Sequence, residues 1–180
     1  MQRAVSLRQD TPGVEGWPPG ALRATNTAMT VDYSDLRKSI AALTEGETDA
    51  VALMATVACE VHHADDRFHW TGFYRVTAPE LLKIGPYQGG HGCLVIPFAR
   101  GVCGACARTG EAQIVADVDA FPGHIACASS TRSELVLPVR DGAGRLLGVF
   151  DLDSDFPNAF TQGDADALQA ILDDAFGNAV

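Results

Sequence analysis

Positive charge is scarce in this chain: 13 Lys and Arg face 23 Asp and Glu, a formal net charge of -10 over 180 residues. That balance argues against nucleic acid and anionic membrane as partners, because both select basic surfaces. Long apolar runs are also missing. No stretch approaches the roughly 20 apolar residues of a membrane span, and no leader peptide is expected between Arg3 and Arg8. Cysteine is sparse, with 5 in the chain, too few for a disulfide scaffold. These absences point to a protein of the cytoplasm, where clustered cysteines serve catalysis or metal binding more often than structure.

What is present suits one domain with a full-sized core. Hydrophobic residues make up 47%, which excludes a disordered or fibrous chain. Residues 1–30 read as a flexible N-terminal extension, rich in Gly and Pro over TPGVEGWPPG and without periodicity. Met29 is an alternative start, and Trp17 has no required partner. From Asp32 to Thr44 the spacing predicts a helix with Leu36, Ile40 and Leu43 on one face. A second helix is expected from about Thr48 to His63, its apolar face holding Val51, Met54, Val57, Ala58 and Val61.

Extended segments follow at His69–Val76, Glu80–Pro86 and Cys93–Phe98. A short helix with glycine at both ends fits ARGVCGACARTG, and a short extended piece fits Gln113–Val118. Leu135–Val139 and Leu146–Asp153 form a hairpin about RDGAGR. A closing helix opens at Thr161, with Asp164 placed for a reciprocal cap and Leu168, Ile171, Leu172 and Phe176 as its buried stripe. The expected fold is α/β in the α+β sense: one antiparallel sheet with helices packed mainly on one side.

The cysteines sit in unusual settings. Cys93 follows QGGHG, Cys103 lies in RGVCGAC, and Cys127 follows FPGHIA. Glycine-rich loops suit thiols that must meet and part, since Gly123 allows backbone angles that other residues avoid. A nucleophilic thiol needs exposure and a lowered pKa, and a second thiol on a movable segment to resolve its oxidised form. Cys59 reads as an inert core thiol. Cys103 and Cys106 make a C-x-x-C pair, without the strand and helix context of thioredoxin-type motifs. Zinc is the competing reading: Cys93, Cys103, Cys106 and Cys127 could offer four thiolates, with His91 and His124 near in sequence. His124 could also tune the local field, although a loop histidine is more often a surface or structural residue.

The second constellation is acidic. Asp151 and Asp153 alternate with apolar residues in FDLD, so both leave the same side of a strand. Glu134 opens the preceding strand and can join them. Buried carboxylates need a partner, and an ammonium group would serve. Trp70 could add an aromatic wall for a cation or a thioether.

These residues carry a resemblance. WTGFY at 70–74, GPYQG at 85–89, CLVIPFARGVCG at 93–104, DVDAFPGHIAC at 117–127, SELVLPV at 133–139 and GVFDLDS at 148–154 resemble, in order and spacing, the free methionine-(R)-sulfoxide reductases built on a GAF domain. The resemblance covers roughly Asp32 to Phe176. It implies a GAF domain over residues 31–180, with N- and C-terminal helices packed together about a central antiparallel sheet. It also implies Cys127 as the nucleophile, Cys93 as the resolving cysteine and Cys103 as a third thiol with a secondary role. Glu134, Asp151 and Asp153 would hold the substrate amino group, and Trp70 would wall its methyl. The implied substrate is free methionine-(R)-sulfoxide and the implied reductant is thioredoxin. No cofactor or metal is implied, and a homodimer is compatible. Val95, Ala128, Cys106, His91 and Gly92 depart from the family pattern. The alternative class is a GAF-type module that senses a small ligand or redox state without turnover.

Overall fold

The computed structural model describes residues 31–180, so the expected extension over 1–30 lies outside the described residues. Helices α1 (Tyr33–Leu43) and α2 (Ala50–His62) come first. Strands β1 (Trp70–Ala78), β2 (Leu81–Gln88) and β3 (Val95–Pro97) follow, then helix α3 (Gly101–Thr109) and β4 (Gln113–Val115). A single 3-10 turn (Val118–Ala120) leads to the hairpin β5 (Ser133–Arg140) and β6 (Leu146–Ser154), and α4 (Gln162–Phe176) closes the domain. The six strands form one sheet in the order β3-β2-β1-β6-β5-β4, every pairing antiparallel.

Caps fix where the helices start. Asp32 accepts from the Asp35 backbone N–H, and Asp49 from those of Val51 and Ala52, satisfying donors that have no partner inside the helix. Thr161 and Asp164 form the expected reciprocal box at α4. Arg67, in the loop before β1, then ties three elements together. Its Nη2 donates to Asp164 Oδ1 at 2.7 Å and its Nη1 to the Ala159 carbonyl at 2.7 Å, while the Tyr33 hydroxyl donates to Asp164 Oδ1 at 2.6 Å.

Alternation along the central strands sorts side chains into two layers. Phe73, Leu135, Leu137, Val139, Phe150 and Leu152 face α1, α2 and α4 and form the larger core. Trp70, Tyr74, Val136 and Val149 face the other way and pack with Val102, Cys103 and Cys106 of α3. Three helices therefore lie on one face and one on the other, and α1 and α4 are in contact.

Two expected core positions are corrected. Leu43 is 58% exposed and Val51 44% exposed. Leu43 is the last residue of α1, where the helix runs past its partners, and Val51 sits in the capped first turn of α2. Cys59 is half-buried rather than in the core, its sulfur 4.0 Å from His63 Nδ1. Among the described residues no helix is long and apolar enough to cross a membrane.

Candidate active site

The hairpin β5–β6 supplies the acids. Asp151 and Asp153 share the α3 face of β6, as the alternation predicts. Register adds the third: Glu134 pairs with Asp153, and Asp153 pairs on its other side with Trp70. Glu134, Asp153 and Trp70 thus stand in one cross-strand row, with Asp151 one step along. Directly opposed residues on neighbouring strands bring their Cβ atoms to about 5 Å. Glu134 is 6% exposed and Asp151 4% exposed.

Burial is the first cause of the acids' unusual protonation. Removal from water raises all three, and negative neighbours raise Glu134 and Asp153 further. Asp151 is pushed up to about 7, chiefly by desolvation, which the neighbouring Cys103 and Glu134 side chains offset only in part. Near neutral pH the cluster therefore retains protons. Tyr74, on the same face of β1 as Trp70, is raised by burial and then by Asp151, Cys103, Asp153 and Glu134. Its hydroxyl belongs to this environment; the i, i+4 relation to Trp70 in a strand was the signal that could have found it.

Above the acids lie two loops joined by a bond. Cys93 and Cys127 form a disulfide, with a Cα–Cα distance of 5.3 Å. The loop carrying Cys127 is anchored where the Gly101 N–H donates to the Gly123 carbonyl at 3.1 Å. Gly123 has φ +75°, the left-handed conformation that a Cβ penalises. The anchor turns His124 inward, its Nε2 3.8 Å from Glu134 Oε2. His124 thus faces the acids, whereas His91 is exposed.

Cys103 enters from α3 and is 3% exposed; its thiol donates to Glu134 Oε1 at 3.8 Å. Burial, followed by the charges of Asp151 and Glu134, holds it well above the usual thiol range. Cys106 is sealed in the second core, pushed up to about 12 by burial first. The four-thiolate zinc arrangement is therefore not assembled. Two of its members are bonded to each other, and Cys103 turns to carboxylates instead.

Cys103, His124, Cys127, Thr131, Glu134, Asp151 and Asp153 line one small, partly closed cavity, with Ile96, Val102 and Ile125 as apolar wall. Among the described residues, no Lys or Arg lines it. Trp70 is beside this cavity in the acid row. It stacks between Tyr74 and Tyr87 at centroid distances of 5.8 and 5.4 Å, and its Nε1–H donates to the Gly90 carbonyl at 3.0 Å. Gly72 makes room for the ring, since a Cβ there would meet Trp70 Cη2 at 2.6 Å. Thr131 and Ile125 were not among the residues singled out from sequence; they reach the site through loop conformation, which no periodicity encodes.

Comparison with known proteins agrees with this arrangement. The GAF domain family matches residues 44–175. The chain belongs to the GAF domain family. Protein YtsP of Bacillus subtilis is 42% identical over 134 residues, covering 74% of this chain and 82% of that protein. The free methionine-R-sulfoxide reductase of Escherichia coli is 36% identical over 140 residues, covering 78% of this chain and 84% of the enzyme. Among solved structures, the free methionine-R-sulfoxide reductase of Neisseria meningitidis in complex with its substrate superposes with a TM-score of 0.76 at 38% identity, covering 81% of this chain and 87% of that one. Within the GAF domain family, the chain groups with the free methionine-R-sulfoxide reductases.

Proposed function

We propose that this protein reduces free L-methionine-(R)-S-oxide to L-methionine, with Cys127 attacking the sulfoxide sulfur, Cys93 resolving the product and thioredoxin regenerating the thiols. The observation that carries the reading is the cavity in which Cys127, already bonded to Cys93, shares a lining with buried Glu134 and Asp151 and half-buried Asp153. A disulfide beside carboxyl groups that no Lys or Arg among the lining residues neutralises fits the resting product of a thiol reductase whose substrate brings its own cation. The likeness to reductases from several organisms supports the same reaction class.

The chemistry follows from the residue types. In the dithiol form, the Cys127 thiolate attacks the electrophilic sulfur. As the S–O bond weakens, the oxygen needs a proton, and a neutral acid among Glu134, Asp151 and Asp153 can donate it. Retention of protons by this cluster near neutral pH supports that role. In the resulting adduct the protonated oxygen passes to the Cys127 sulfur as the new S–S bond breaks, so methionine leaves and Cys127 becomes a sulfenic acid. The Cys93 thiol attacks that sulfur, water departs, and the disulfide forms. Two electrons have passed from two thiols to one sulfoxide, and an external dithiol restores them.

The acids also account for a free amino acid as substrate. A peptide-bound residue lacks the α-ammonium and leaves buried carboxylates unpaired, a stronger discriminator than apolar fit. Trp70 stands in the same row as Asp153 and Glu134, within reach of a bound side chain. Cys103, neutral and buried, is assigned a secondary part in recycling. We place the reaction in the cytoplasm, where thioredoxin is available.

The test is Cys127→Ser. Turnover is expected to fall to background while the folded state is retained. Full activity in that variant contradicts the assignment.

A further inference from the structure

The mechanism above uses the acids toward an ammonium group and as proton donors, and gives the Cys103 sulfur only a secondary part in recycling. Yet Cys103 Sγ, a Glu134 oxygen and an Asp151 oxygen all lie within 4.8 Å of one another, each on a buried residue. The three come from three elements: α3, β5 and β6. His124 stands beside this group, its ring nitrogen 3.8 Å from the other Glu134 oxygen. A second observation is independent of this gathering. Asp151, 4% exposed and lining the cavity, keeps its Oδ1 without any hydrogen-bond partner among the described residues. Native proteins rarely leave such an atom unpartnered, and a bound group is one of the standard explanations.

We propose that Cys103, Glu134 and Asp151 bind one thiophilic divalent cation of the zinc class in the cavity beneath the disulfide. A donor set of one sulfur and two carboxylate oxygens selects for zinc-like ions. Thiolate suits them, while magnesium and calcium take oxygen donors alone. A tetrahedral zinc site holds neighbouring ligand atoms at roughly 3.3–3.7 Å from one another. Cys103 Sγ and Glu134 Oε1, at 3.8 Å, need almost no movement to meet that spacing. Binding transfers the Cys103 proton to solvent and makes an S–metal bond. Nothing is oxidised, and the Cys93–Cys127 disulfide is untouched. On the reading of the site given above, the ion would occupy the carboxylates meant for the substrate ammonium, so zinc would act as an inhibitor of this enzyme.

Titration of the disulfide-closed protein with Cd2+, then Zn2+, tests the site with neither sulfoxide nor reductant present. One Cd2+ equivalent is expected, with an ultraviolet sulfur-to-cadmium charge-transfer band that Zn2+ displaces and excess Mg2+ does not. Cys103→Ser should abolish the band. Asp151→Asn should weaken binding at least about tenfold. Cys59→Ser, beside His63 on the surface, should leave both unchanged. Melting curves of each variant confirm that it is folded. No band, or a band that survives Cys103→Ser, overturns the proposal. Because the titration needs no turnover, loss of the reductase reading would leave the metal site standing, and the reverse also holds.

Discussion

Three carboxyl groups share one volume at the end of the β5–β6 hairpin, and among the described residues no Lys or Arg lines it. This residue-scale fact has a consequence for stability. Unfolded carboxyls titrate near ~4, whereas desolvation in the folded state pushes Asp151 up to about 7. Between those values the folded protein binds more protons than the unfolded one, so stability falls as pH rises across the window. Asp151→Asn removes that penalty. At pH 8 the ligand-free variant should melt roughly 2–8 °C above the parent, about 1–2 kcal/mol, and the gain should fade by pH 4; scanning calorimetry at both pH values measures it. A variant less stable at pH 8 contradicts the account. Period-two reasoning was enough to put Asp151 and Asp153 on one face. The opening of the preceding strand already singled out Glu134, and the register opposite Asp153 shows how it joins them; the inward turn of His124 needed a loop conformation anchored on α3, which sequence spacing does not carry.

At the scale of elements, the end of α4 is the joint on which the larger core depends. Asp164 caps α4, accepts from the Arg67 guanidinium and accepts from the Tyr33 hydroxyl of α1. Bonding to Arg67, Tyr33 and Thr161 outweighs burial and lowers Asp164 to about 2. Its contribution is therefore complete above about pH 4 and lost only as pH falls toward 2. Asp164→Ala strands Arg67 and removes the cap, and should cost about 3–5 kcal/mol in urea unfolding at pH 7. A loss below about 1 kcal/mol would show that the joint contributes little. The cap was legible because Thr and Asp at its two positions carry their own mechanism. Arg67, 97 residues away from Asp164, was not, since nothing local marks a long-range ion pair. Leu43 and Val51 show the limit of the helical period: it identifies an apolar stripe without saying where the partner helix ends.

Across the whole molecule, the fold class, the antiparallel sheet and the α1–α4 contact follow from element order and apolar faces. The placement of α3 alone on the second face does not, because a nine-residue helix made of small residues has no strong stripe. That helix and two loops build the site against the sheet. The disulfide spans a separation of 34 residues and ties the segment before β3 to the loop before β5. Chain entropy alone assigns such a closure roughly 3–4 kcal/mol. Reduction should lower the melting temperature by about 6–16 °C, measured with and without a phosphine reductant. An unchanged melting temperature would mean that the bond does not constrain the unfolded chain. The central claim, that this architecture is a reductase for a free amino acid sulfoxide, is tested most directly by following NADPH oxidation with thioredoxin and thioredoxin reductase. Free L-methionine-(R)-S-oxide, the S epimer and a peptide-bound sulfoxide are offered in parallel. The account predicts methionine formation from the free R epimer alone. No turnover of the free R form by fully reduced protein, or equal turnover of the peptide, contradicts it.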